Sequence, residues 1–463
     1  MTTSPSEILA VSPSLPRWKA WVQTHLLFEH EPTPELIAIL LVYFVQGILG
    51  LSRLAVTFFL KDDLGLTPAE TAALTGLGIL PWTLKPLLGF MSDGFPIGGY
   101  RRRSYLALSG ILGCGAWLFL GSLKSLHLPQ EKWFATLAIV LTSFTIAVAD
   151  VIADSIVAER SREESQSGAG SLQSLCWGTV ALGGFLTAYL SGFLLERVGT
   201  QTIFLVTASF PLLVSWAAGF IVEEPSDRKN WEGIKEQTVI LWGVLRRKEI
   251  WMPAVFICIW QSTPSAESAF FYFTTNDLGF SPEFLGRVRL VSSMAGLLGI
   301  WCFQRFFKSV PFRPILGWTI VISTLLGLTT LILVTHSNRQ LGIDDRWFSL
   351  GDTLILTVAG EIAYMPLLVL AARICPVGVE ATLFALLMSL LNLGGLVSRE
   401  VGAVLTDWLG VTEVDFSNLW ILMLITNLSN LIPLPFLGLL PTASATESPS
   451  LSALATEVLD SAD

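Results

Sequence analysis

Apolar runs of about 20 residues or more alternate along the chain with short polar segments. A helix of that length crosses the hydrocarbon core of a bilayer and satisfies its own backbone hydrogen bonds in lipid. Twelve such blocks can be drawn, at about 36–60, 68–91, 104–123, 133–158, 170–195, 200–222, 250–275, 282–307, 313–335, 346–372, 378–408 and 418–440. The pattern predicts an all-α membrane protein with twelve transmembrane helices.

The blocks also predict units. Residues 1–34 form an N-terminal segment, 35–222 a first six-helix bundle, 223–249 a hydrophilic linker, 250–440 a second bundle, and 441–463 a Ser/Ala/Thr-rich acidic tail expected to be disordered. In the first segment, Trp18, Trp21, Val22 and Leu26 share a helical stripe that could lie flat in the membrane interface. That segment has neither the short apolar core of a signal peptide nor the acid-poor composition of a transit peptide.

Composition agrees with the pattern. Of 463 residues, 52% are hydrophobic and only 14% charged, against roughly 25% charged in a soluble protein. Mean hydropathy is +0.63. Lys and Arg set the orientation. With the N-terminus inside, the inner segments hold Arg17, Lys19, Arg101 to Arg103, Arg160, Arg162, Arg228, Lys229, Lys235, Arg246, Arg247, Lys248, Arg305, Lys308, Arg313 and Arg373, seventeen in all. The outer segments hold six: Lys61, Lys124, Lys132, Arg197, Arg339 and Arg346. Both termini are therefore expected in the cytoplasm. The net charge of −9 is spread over loops and tails and says little about partners.

Two similar offsets point to an internal repeat. Asp63-Leu64-Gly65 and Pro68 match Asp277-Leu278-Gly279 and Pro282 at an offset of 214. Leu182-Gly183-Gly184 matches Leu393-Gly394-Gly395 at 211. Each links block n to block n+6, as expected for two pseudo-symmetric halves with a solute site between them near mid-membrane. Small residues recur at spacings of four, at Gly184, Ala188 and Gly192 in block 5 and at Gly394, Ser398 and Gly402 in block 11, which favours close helix packing.

Charges inside the blocks carry the candidate chemistry. Asp150 and Asp154 stand one turn apart in "IAVADVIADSIVAER", and a carboxylate in hydrocarbon costs at least a few kcal/mol. Lys85, bracketed by Pro81 and Pro86, sits at a similar depth to Asp150, roughly 12 Å in at 1.5 Å per residue. A Lys85–Asp150 ion pair would leave Asp154 without an evident partner. Arg53 maps to Glu267 at the 214 offset, and Asp150 maps to Glu361 at 211. Arg53 and Glu267 could line the cavity, or could meet as an ion pair that only fixes the register of the halves. Arg287 has a local partner in Glu283, whereas Arg289 points to another face and is the better candidate for an anionic ligand. Arg399 is a further candidate, since adjacent Glu400 projects about 100° away.

Other chemistries find no support. No GxxxxGK[ST] loop occurs. The five cysteines lie in or beside apolar blocks with no CxxC pair and read as packing residues. The four histidines fall outside the spans, so Asp150, Asp154, Glu267 and Glu361 are the available coupling groups. Protons are the expected coupling ion, and sodium held by carboxylates and freed carbonyls is the alternative.

The segment "KPLLGFMSDGFPIGGYRRRSYL" resembles the loop 2–3 signature of the major facilitator superfamily. Gly89 and Asp93 match its Gly and Asp, and Arg101, Arg102 and Arg103 match its basic end after an inserted Gly/Pro-rich stretch. Together with "ADVIADSIVAERSR", "LQSLCWG", "FYFTTNDLGFSPEFLGRVRLV" and "CPVGVEATLFALLMSLLNLGGLVS", the chain is similar to the folate–biopterin transporter family over about residues 35–440. The resemblance implies the two-domain, twelve-helix major facilitator fold and alternating access; an enzyme is not expected, because the sequence shows no metal-ligand cluster or nucleophile–base pair. The resemblance further implies proton-coupled movement of folates or pterins and a cavity lined by helices 1, 4, 7 and 10, where Arg53, Asp150, Glu267 and Glu361 fall. The helix 5 Gly-Pro signature of the superfamily's drug antiporters is absent.

Solute chemistry fits this expectation. A carboxylate can accept two hydrogen bonds from a pterin edge, and Arg or Lys can hold a glutamate tail. Phe58, Trp82, Trp177, Trp260, Phe271 and Tyr272 could stack on the ring. Asp150 and Asp154 are assigned to coupling or pterin recognition, Arg53 and Lys85 to anionic groups, and Asp93 with Arg101 to Arg103 to a cytoplasmic gate. The expected setting is a bacterial inner membrane, or a plastid envelope for a plant chain, with the protein acting as a monomer in the lipid bilayer without cofactor, metal or nucleic acid. A transporter of another amphiphilic anion and a receptor that binds without translocating are the alternatives.

Overall fold

A computed structural model describes residues 27, 30–126, 131–161, 171–225, 243, 245–374 and 380–441. The expectations for residues 1–26, for most of the 223–249 linker, for the tail beyond 441 and for Cys375 lie outside the described residues.

Among the described residues, nine continuous helices are long and apolar enough to cross a membrane. The twelve blocks map onto them with three departures, each with a local cause. The spans are α1 (Pro34–Asp63), α2 (68–94), α3 (Arg103–Leu126), α4 (Glu131–Ser161), α5 and α6 (171–198 and 200–218), α7 (248–277), α8 (Pro282–Phe307), α9 (Phe312–Val334), α10 (Asp345–Arg373), α11 (Glu380–Trp408) and α12 (Leu419–Leu439). Helix α2 is split into Pro68–Leu77, Leu80–Thr83 and Lys85–Gly94, because Pro81 and Pro86 each start a new helical piece and deny it a backbone donor. Helix α7 is split by 262–266, around Pro264. Helices α5 and α6 run on through Gly199, whose φ of 76° turns the chain in a single residue.

The repeat extends to details of backbone. π-Helical turns occupy Phe59–Asp63 and Phe273–Asp277, and Gly65 and Gly279 both adopt left-handed φ (59° and 63°). Thr67 and Ser281 then cap α2 and α8 through their hydroxyls ahead of Pro68 and Pro282. Each pair is separated by 214 residues. The 211 offset also reappears. A Cβ on Gly183 would come within 3.0 Å of Gly47 Cα in α1, and one on Gly394 within 2.7 Å of Gln261 Cβ in α7. Gly47 and Gln261 are themselves 214 apart.

The stripes of small residues pack, with one shift. In α11, Gly394, Ser398 and Gly402 all face the α7 break. The Ser398 hydroxyl donates to Thr263 O at 2.6 Å, Ser265 N donates to Ser398 O, and Gly402 lies against Ser265 O. The broken segment thus recovers hydrogen bonds that lipid could not supply. In α5, Gly183 and Gly192 are the tight positions, whereas Gly184 faces open space. Register, which spacing alone leaves open by one residue, decides this.

Each half buries its own core, residues 36–221 in one and 250–440 in the other. Among the described residues, cross-half contacts run from the end bearing loop 63–67 past Trp82 and Asn392 to the last piece of α2 (Lys85–Gly94), which packs on α11. Gly192 of α5 and Gly286 of α8 meet backbone to backbone. Tyr189 Oη donates to Glu283 Oε1 (3.0 Å), and Glu283 N donates to Glu196 Oε2 (2.9 Å). Gly76 of α2 lies against Glu400 of α11. The structure is therefore sealed at that end.

Candidate functional site

Asp150 and Asp154 share one face of α4 but have different partners. Asp150 is buried and forms an ion pair with Lys85, the first residue after the α2 break. Lys85 Nζ also stands over the Trp82 ring, 4.9 Å from its centre. Trp82 is itself fixed through Nε1, which donates to Ser143 Oγ at 3.0 Å. Asp154 is exposed and accepts a hydrogen bond of 2.7 Å from the Tyr43 hydroxyl of α1. The expectation that Asp154 has no evident partner is thereby corrected. A search for charges passes over tyrosine, yet a buried Tyr43 in an apolar block was a visible polar signal, because a phenol there needs a hydrogen-bond partner.

The second half departs from the first at the equivalent place. At the 214 offset Lys85 becomes Gly299, and Glu361 packs directly on it, with its Cβ 2.6 Å from where a Gly299 Cβ would stand. Glu361 thus occupies the place of Asp150 without the lysine. Nor do Arg53 and Glu267 meet: Glu267 pairs with Arg399 of α11 at 3.1 Å, inside the second half. A turn at Leu49–Gly50 forms a minor break within α1, and Arg53 sits in the first turn after it, as Glu267 does after the α7 break. Arg287 bonds Glu283 at 2.8 Å, as its spacing predicts. Arg289 reaches across to the first half instead, donating from Nη1 to Gly50 O and to Ser191 Oγ, each at 3.3 Å.

A cavity of about 420 Å³ lies between the halves, lined by Trp82 of α2, Gln261 and Glu267 of α7, and Asn392 and Arg399 of α11. Small-molecule sites run to about 300–1,000 Å³. Asn392 Nδ2 donates to Trp82 O (3.3 Å), joining the halves across it. Of the aromatic candidates, Trp82 alone among these cavity residues offers a ring. Phe58 and Phe271 pack edge to face across the halves (5.2 Å). Tyr272 is 0% exposed, with its hydroxyl bonded to Thr71 and donating to Leu66 O. These three belong to the seal. Trp260 stacks on Tyr364 within the second half, and Trp177 is 60% exposed.

The basic signature forms a knot within the first half. Arg102 pairs with Asp93 and Glu159, both at 2.8 Å, and donates to Ser92 Oγ. Burial works against the Arg102 charge, but Asp93 and Glu159 hold its pKa above the ordinary value. Arg103 donates to Ala218 O and Gly219 O and lies over Tyr100. The backbone amides of Arg101, Arg102 and Arg103 all donate to the Glu223 carboxylate. Composition had placed Glu223 in the linker; the structure uses it to terminate α6 against the start of α3.

Comparison with known proteins agrees with this architecture. The BT1 family model matches residues 46–452. A folate-biopterin transporter of Synechocystis sp. is 58% identical, covering 95% of this chain and 88% of the relative. A probable folate-biopterin transporter 2 of Arabidopsis thaliana is 33% identical (86% and 80%), and folate transporter 1 of Plasmodium falciparum is 31% identical (87% and 79%). Among solved structures, a D-xylose-proton symporter superposes with a TM-score of 0.63 at 15% identity, covering 90% of this chain and 99% of the other. The nucleoside transporter NupG gives 0.65 at 13%, covering 88% and 98%. The chain is a multi-pass membrane protein of the major facilitator fold, and it belongs to the BT1 family, the folate–biopterin transporters.

Proposed function

We propose that this protein moves folates and pterins across the membrane by alternating access, as a proton symporter, with both termini cytoplasmic. The names of its relatives supply the solute class. The observation that carries the coupling is the division of labour on α4: Lys85 neutralises Asp150, while Asp154 is exposed and held only by a tyrosine hydroxyl among the described residues. A carboxylate so placed takes up a proton without breaking an ion pair. With the termini inside, the sealed end faces outward. The Arg102 knot then lies at the cytoplasmic end, where it would brace the first half and act as a gate.

Reconstituted protein tests the reading. Labelled folate or biopterin should accumulate in proteoliposomes under an imposed inward proton gradient. Binding without accumulation would make the protein a receptor, and dependence on sodium instead of pH would reassign the ion. Failure of both solutes, with uptake of another amphiphilic anion, would reassign the substrate.

A further inference from the structure

We propose that Arg53 and Arg289 together form an anion subsite that takes the glutamate carboxylates of a folate and so distinguishes folates from free pterins. The proposal rests on the folate–pterin reading above. The two residues come from opposite halves, and the Arg289 guanidinium reaches the turn of α1 on which Arg53 stands. Gly50 O, at the α1 break, accepts from Arg53 N and from Arg289 Nη1, each at 3.3 Å. Arg53 is exposed and Arg289 half-buried. Neither has a carboxylate within ion-pair distance among the described residues. The acids one to two turns further out are already engaged: Glu283 holds Arg287, Arg197 and Tyr189, and Glu196 holds the Glu283 amide. Two like charges gathered in a membrane interior without an internal counter-ion call for an anion from outside the chain. Two carboxylates facing two planar guanidinium forks can form parallel charge-assisted hydrogen bonds.

Lys85, the other cation assigned to anionic groups, is neutralised by Asp150 and leaves this task to the arginines. Spacing fits a two-ended solute. Tyr43, which holds Asp154, lies ten residues before Arg53, about 15 Å along α1 at 1.5 Å per residue. An extended p-aminobenzoyl spacer can bridge such a distance, with the pterin at the α4 carboxylates and Trp82 and the glutamate at the arginines. Because α1 and α8 belong to different halves, the bound tail also ties the halves together at the sealed end.

Arg53→Gln and Arg289→Gln, each assayed for folate and for biopterin in proteoliposomes, test the subsite. Each should raise the folate KM at least about tenfold, equivalent to about 1.4 kcal/mol, with biopterin KM changed by less than about twofold. Arg→Lys at each position should restore part of the folate affinity. Equal losses for both solutes, or an unchanged folate KM, would overturn the subsite. Thermal stabilisation of the purified protein by p-aminobenzoylglutamate, which carries no pterin, reads the arginines directly. It should appear in the wild type and vanish in both Gln variants; its absence from the wild type overturns the subsite. Stabilisation without any folate or pterin uptake would uphold the subsite and sink the substrate reading alone.

Discussion

The contact between Gly192 and Gly286 makes a sharp test of how the two halves close. A Cβ on Gly192 would stand 2.0 Å from Pro282 O and 2.8 Å from Gly286 Cα, and both are backbone atoms that cannot rotate away. Gly192→Ala can be accommodated only if α5 and α8 separate. Overpacking of this kind costs about 1–3 kcal/mol. Separation in the opposite transport state relieves the clash, so the cost falls on the sealed state and shifts the equilibrium about 5- to 150-fold toward the alternative. Spin labels at Val198→Cys and Glu413→Cys, two exposed positions on opposite halves at the sealed end, would report this in a background with the native cysteines replaced. The distance distribution should gain a longer component, and uptake should fall. Gly184→Ala, in the same helix but facing open space, should change neither. An unchanged distribution with wild-type uptake in Gly192→Ala would refute the reasoning.

Other expectations follow from single contacts. Asp154→Asn keeps an acceptor for Tyr43 but cannot release a proton, so it should abolish gradient-driven uptake while sparing exchange; retained accumulation would exclude Asp154 from coupling. Lys85→Ala leaves buried Asp150 unpaired and should lower stability by about 3–5 kcal/mol. Lys85→Met with Asp150→Leu should recover much of that loss, both read by thermal unfolding in detergent. Glu223→Ala strips the acceptor from the amides of Arg101 to Arg103 and should cost about 1–3 kcal/mol, visible as a lower unfolding midpoint. Exchanging Glu267 and Arg399 should preserve their partly exposed ion pair and leave stability within about 1 kcal/mol. A larger loss would show that the pair's surroundings discriminate its orientation.

Much of this protein is legible in its sequence, because lipid narrows the choices. A chain with 52% hydrophobic residues in blocks long enough to span a bilayer can cross it as helices. The 214-residue offset, read from a few residues, extends in the structure to π-turns, left-handed glycines and caps. Duplicated sequence repeats local backbone, and local backbone is what neighbouring residues dictate. The Lys85–Asp150 pair was likewise foreseeable from depth, since both counts start from the same face of the membrane.

What the sequence left open depends on rotation and register, which only packing sets. Charge symmetry suggested Arg53 with Glu267, yet Glu267 turns to Arg399 because the α7 break lies against the small-residue stripe of α11. Spacing suggested Gly184, yet one residue of register gives the close contact to Gly183. Asp154 found an uncharged partner more than a hundred residues away, beyond the reach of any periodicity. A sequence states which polar groups must be satisfied in the membrane. The tertiary structure decides which of them satisfy one another, and which, like Arg53 and Arg289, have no carboxylate partner among the described residues.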